Sequence, residues 1–203
     1  MVLSKIPQWT AVSLATVAFS CLPACGGGGA DSSSTSTSPG ADYSVVSSYP
    51  VTDCVRSNVT GLVWEGKTTS GLRAGSATFT HYDSTVLPQV LQGGSYVVAT
   101  PTLVDAPSNA AAYVKTVNAA ALCGYTDWRL PTSAELKSLV QSKTAATLAS
   151  IDATWFPNTP AYLYWTASAY SSDAKFAWVV DFFDGVVAVS AHRGTPSHLR
   201  LVR

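Results

Sequence analysis

Three histidines, one Ser-x-x-Lys and two aspartates around a turn are the side chains of this sequence best placed for chemistry. Ser172-Asp173-Ala174-Lys175 has the spacing of a serine nucleophile activated by a lysine, but that machinery also needs S-D-N and K-T-G elements, and none follows. A solvated loop accounts for it better. His192 and His198, with Asp184 upstream, offer metal-binding atom types at a spacing that is common by chance. Asp181 and Asp184 suggest a calcium loop, yet that cation takes about six to eight oxygens and few acids lie nearby. There is no G-x-S-x-G elbow and no phosphate-binding glycine loop. The expectation is a protein without catalytic residues, metal or cofactor.

Recognition fits the same residues better than catalysis does. Tyr170, Ser171, Ser172 and Asp173 form one short polar stretch, and His192, Arg193, Gly194 and Thr195, with Ser197 and His198, form another. Tyr, Ser, Asp and His combine aromatic area with adaptable hydrogen bonding at low entropic cost. Arg193 adds a cation suited to a sulfate or carboxylate. The candidate ligand contacts are therefore Tyr170, Ser171, Asp173, His192, Arg193 and His198. The competing account is that both are ordinary connections, since loops are polar anyway.

Strands must hold these loops. Leu163 to Ala167 reads as one, and Phe176 to Phe182 as another, with Phe176, Trp178, Val180 and Phe182 on one face at period two. Asp184-Gly185 signals a hairpin into Val186–Val189, and Leu199 to Val202 forms a last strand. Upstream, Ser108 or Asn109 caps a helix running to about Leu122, with Tyr113, Val117 and Ala121 as its apolar stripe and Gly124 just past its end. Thr132 and Glu135 make a capping box for a second helix, whose buried face is Leu136, Leu139 and Val140. Leu62 and Trp64 mark an early strand. Between Gly66 and Pro107 the pattern is weak, with possible strands at Thr78–Tyr82 and Tyr96–Ala99, and an irregular excursion or extra hairpin is expected. Strands, two helices and a closing meander define an α+β class.

The combination T-G-L-V-W, Cys123, D-W-R-L-P-T-x-x-E-L, Y-W-T-A-S, A-W-V-V-D-F-x-x-G and L-R-L-V-R resembles the Lcl C-terminal domain family, bacterial cell-surface modules. The resemblance covers Asp53 to Arg203 and is poorest over Gly66–Pro107. It implies a C-type-lectin-like fold, with two helices packed on a small twisted antiparallel sheet and the terminal strands paired. Related domains bind glycans as adhesins, and others are varied by diversity-generating retroelements. A structural part in the envelope is the alternative. The sugar-binding calcium signature of animal C-type lectins is missing, and no cysteine after Cys123 supplies the pair used by sulfatase-activating relatives. Trp64, Trp128, Trp165 and Trp178 are expected in the core, and Arg129 is expected on Glu135.

The beginning of the chain sets its compartment. Lys5 precedes an uncharged run, Ala11 to Phe19, too short to span a bilayer of roughly 30 Å and suited to a signal peptide. Leu22-Pro23-Ala24-Cys25 resembles a lipobox, which makes residues 1–24 the leader and Cys25 the lipidated residue. Ordinary secretion is the alternative. Residues 25–41 are rich in Gly, Ser and Thr, cannot bury enough apolar surface to fold, and serve as a tether. Residues 42–203 form the domain. Gly26 after the cysteine favours the outer membrane. The expected partners are the membrane, through the anchor, and a surface glycan or protein; a net charge of zero gives nucleic acid nothing to bind. Outside the cytoplasm Cys54 and Cys123 are expected to oxidise to a disulfide, rather than remain two buried thiols. Cys25→Ser is expected to move the protein from the membrane to the soluble fraction. Retention through a high-salt wash would refute the anchor.

Overall fold

A computed structural model describes residues 42–142, 148–186 and 191–203; the leader, Cys25, the tether and Val187–Val189 lie outside them. The first sheet is antiparallel, β1 (Tyr43–Val45), β2 (Cys54–Ser57) and β3 (Val63–Glu65), in that order. Gly61, at φ +75°, turns β2 into β3 in a conformation costly for other residues. The end of the chain completes this sheet. Val63 and Arg203 exchange backbone hydrogen bonds of 2.9 Å in both directions, and Glu65 N donates to Leu201 O. On its other side Val202 exchanges bonds of 2.9 Å with Arg129. The family resemblance implies paired terminal strands; here the end of the chain pairs with β3, whereas β1 pairs with β2.

The excursion is an extra hairpin, β4 (Pro88–Gln92) and β5 (Ser95–Val98), joined by Gly93-Gly94 with both φ values positive. That two-residue turn matches the twist of the strands it joins. Thr78–Tyr82 is not a strand: Phe79 and Thr80 make only isolated bridges to Ser197 and Asn109. Among the described residues three short α-helices replace the two expected, α1 (Pro101–Val104), α2 (Ala110–Ala119) and α3 (Ser133–Lys137). α2 stops before Leu122 because Ala121 and Cys123 are left-handed, at φ 47° and 54°. This sharp turn delivers Cys123 to Cys54, and the two form a disulfide with Cα atoms 6.6 Å apart. The Thr132–Glu135 capping box opens α3, and Arg129 grips Glu135 with bonds of 2.9 and 2.7 Å. Those bonds, ahead of the cap, hold the Glu135 carboxyl down at about 2.

The last sheet runs β6 (Leu163–Ala169), β7 (Phe176–Asp181), β8 (Ala191–His192), antiparallel and in order. β7 divides two cores. Ala177 and Val179 join Trp128, Trp165 and Tyr113, whereas Val180 and Phe182 join Trp64, Leu136 and Phe156. Trp64, Trp128 and Trp165 are buried as expected, but Trp178 is only half-buried. Opposite it β6 leaves the ladder: the register slips between Trp165 and Ala169, and Ala167 N donates to Pro131 O instead. The face of β7 therefore opens at its beginning, around Phe176 and Trp178.

Between the cores lies a charge that periodicity does not reveal. Glu65 is fully buried, and its carboxylate accepts from Lys67 Nζ (3.0 Å), Leu201 N (3.0 Å) and the Tyr113 hydroxyl, with Arg73 Nε at 3.6 Å. Arg200, equally buried, donates to the Glu65 carbonyl and to Thr159 Oγ1 (2.7 Å), above the Phe156 ring. Burial pushes the Lys67 amine down to about 8; burial, then Glu65, pushes the Tyr113 phenol up. Removing one member of a buried ionic group leaves the others uncompensated, typically at a cost of about 3–5 kcal/mol. Glu65→Ala should lose that much in urea unfolding at neutral pH, whereas Arg129→Ala, on a half-exposed pair, should lose under about 1 kcal/mol. Equal losses would overturn this ranking. Non-reducing peptide mapping should recover Cys54 joined to Cys123, and two free thiols would contradict the bridge.

Candidate functional site

The opened start of β7 carries a continuous row of rings. Tyr170, just after β6, stands edge-on to Phe176 (6.3 Å between centroids) and to Trp178 (5.5 Å). Phe176 meets His192 of β8 edge-on at 5.6 Å, and His192 meets Tyr96 of β5 at 5.5 Å. Edge-on contacts at these spacings suit the ring quadrupole. Lys175 Nζ sits 5.0 Å above Tyr96 and pairs with Asp173 at 2.6 Å. Asp173 also shapes its own turn, accepting Lys175 N at 3.0 Å. Hydrogen bonding to Lys175 holds the Asp173 carboxyl below its ordinary value. Desolvation lowers His192, which favours its uncharged ring. Tyr170, Asp173, Phe176, Trp178 and His192 are half-buried, and Ser171 and Tyr96 are exposed. The result is a shallow apolar strip edged by a hydroxyl, a carboxylate and an ammonium. Alternation puts Phe176 on one face with Trp178, which is expected in the core, and does not show where a neighbouring strand departs. Tyr96 lies in the excursion, where its only signal was the hairpin around it.

Two of the six residues expected at this surface turn inward. Arg193 is 5% exposed. Its Nε donates to Ala174 O at 2.8 Å, and Nη1 donates to His81 O (3.0 Å) and His81 Nδ1 (2.7 Å), with Asp83 Oδ2 at 3.0 Å. The guanidinium is consumed in tying the loop after β8 to the β6–β7 connection and the excursion, which corrects its reading as an open cation. His198 is 8% exposed, with Nδ1 3.0 Å from Ala77 O and its ring beside Tyr164 and Tyr162. Tyr170, Ser171, Asp173 and His192 remain accessible.

His81 is the neutral partner this arrangement needs. Its Nδ1 accepts from Arg193, and burial, then the Arg193 charge, push the imidazole down to about 4 from an ordinary 6.5. Between those values the unfolded chain binds a proton that the folded chain refuses. Stability therefore falls as pH drops through that window and levels off below it, by roughly 3 kcal/mol at most. The Asp83 carboxyl, held below its ordinary 3.8, titrates under the same window. His81→Gln keeps an acceptor for Arg193, and its urea midpoint should change less between pH 7 and pH 4.5 than that of the parent. Equal pH dependence would show that another group is responsible.

A concavity of about 560 Å³ lies among Thr68, Ser76, Ile151, Phe156, Asn158 and Thr159. Its walls offer hydroxyls and an amide but no acid or base. Among the described residues no three His, Cys, Asp or Glu converge as metal ligands, and no helix is long and apolar enough to cross a membrane. No curated protein and no solved structure matches the chain. The family model described as the Lcl C-terminal domain matches residues 53–203, which takes in every element from β2 onward, the disulfide, the capping box and the whole aromatic strip. The chain belongs to the Lcl C-terminal domain family.

Proposed function

We propose that this chain is a ligand-binding module of the bacterial surface, lipidated at Cys25 and raised on its tether, with a C-type-lectin-like domain that binds carbohydrate and performs no catalysis. The aromatic strip from Tyr96 through His192, Phe176 and Tyr170 to Trp178 carries this reading. Sugar rings have apolar C–H faces that stack on aromatic rings and hydroxyls that need polar neighbours; Ser171, Asp173 and Lys175 supply the latter beside the strip. A rigid aromatic with a polar tip buries area at little entropic cost. Single-stranded nucleic acid also stacks on rings but requires a positive groove along its backbone. Lys175, the cation over Tyr96, is already paired with Asp173. Family membership supports a cell-surface setting, and the lipobox and Gly26 support the outer membrane.

The test is a glycan and cell-surface binding screen of the full chain, repeated with Tyr170→Ala, Asp173→Ala and His192→Ala combined. Arg193 stays intact, because its loss would unpin the loop itself. Each 1.4 kcal/mol lost weakens binding about tenfold, so losing two rings and a carboxylate should weaken it by at least about tenfold. Circular dichroism and the melting temperature should stay near those of the parent. Undiminished binding by a folded triple variant would exclude this face.

A further inference from the structure

The β4–β5 hairpin is bare in a way that protein surfaces ordinarily avoid. From Ser84 to Val104 the sequence contains no charged residue. Val86, Leu87, Leu91, Tyr96, Val97 and Val98 are 37–85% exposed, and all four residues of β5 face solvent. Together these side chains expose several hundred Å² of apolar surface, the scale at which a patch marks a contact site. The hairpin is a sheet of its own, joined to neither of the others, and two isolated strands are marginal in water. Natural edge strands are guarded by charges, prolines or bulges. β4 has two of these guards, Pro88 with no N–H and a register shift between Pro88 and Val90. β5 has none.

We infer that β5 is a self-association edge: two copies of this chain pair Ser95–Val98 antiparallel across a two-fold axis, forming a four-stranded sheet from two hairpins. A second copy is the occupant because Ser95–Val98 carries no charge of its own, the one cation beside it, Lys175 over Tyr96, is paired with Asp173, and its best complement is another uncharged edge of the same pattern. Depletion of charge is the mark of the centre of a protein interface. Antiparallel pairing of a strand with itself is isologous, so the contact closes at two. The proline and the bulge on β4 stop the sheet from extending into a filament. The dimer also sets two aromatic strips side by side, since Tyr96 stands both on β5 and at the end of the strip.

The experiment is sedimentation velocity on the full chain in mild detergent at micromolar concentration, with two variants. Val97→Lys places a charge on β5, whereas Val59→Lys removes an equally apolar and more exposed side chain (75%) from a turn of the first sheet. The parent and Val59→Lys should sediment as dimers, and Val97→Lys as a monomer with an unchanged circular dichroism spectrum. A non-reducing gel of Val97→Cys should show a dimer band lacking in Val59→Cys. A monomeric parent, a dimer indifferent to Val97→Lys, or equal dissociation by Val59→Lys would each overturn the inference. Oligomerisation is read without any glycan, so its failure and that of the binding proposal are separate results.

Discussion

The carboxylate of Glu65 is the point on which the rest of the domain converges. It sits at the end of β3 and is held from three directions: Tyr113 of α2, Lys67 and Arg73 of the segment that follows, and the backbone of Leu201. Each of these partners reaches the carboxylate only when its own element is in place. Arg200 adds a fourth tie by donating to the carbonyl of the same residue. Desolvating such a group is costly, and hydrophobic residues of the same volume often give equal or greater stability. What the network adds here is a single register, because a slip of β3 or of residues 199–203 by one position would strand charges in the core.

How much of this was readable beforehand depends on the distance over which each interaction acts. The Thr132–Glu135 cap, the grip of Arg129 on Glu135 and the alternation of β6 and β7 are local, and local pattern announces them. The disulfide needed only two cysteines and a compartment. Glu65 was not visible, since Val-Trp-Glu looks like the frayed end of a strand and the partners that bury Glu65 lie as far as 136 positions away. Arg193 was misread for a related reason. A loop of polar residues has the same composition whether its arginine points at solvent or at a buried histidine.

The candidate site was half legible on the same grounds. Tyr170, Asp173 and His192 belong to connections whose composition favours recognition, and they do lie together at the surface. Phe176 and Trp178 share that surface because a neighbouring strand departs to bond Pro131, an event set by tertiary contacts. Tyr96 arrives from the part of the chain with the weakest pattern. Its hairpin is anchored through the fully buried Gln89, whose amide donates to Asp83, the same carboxylate that holds Arg193. The strip is thus assembled from two remote segments pinned to one another by a small polar knot that rests on one of the cores through His81 against Trp165. Surface residues can change in such an arrangement without disturbing what holds the fold.

Closure of the first sheet by residues 199–203 has a consequence for the order of events during synthesis. A nascent chain emerges at roughly 5–20 residues per second, and domains tend to fold as soon as their parts are present. Here β3 has no outer partner, Glu65 lacks Leu201 and Arg200, and Arg129 has no strand to pair with until those residues emerge. These pairings therefore form only once residues 199–203 are present. A late-acting clasp of this kind would suit the export proposed above, in which the chain crosses a membrane unfolded.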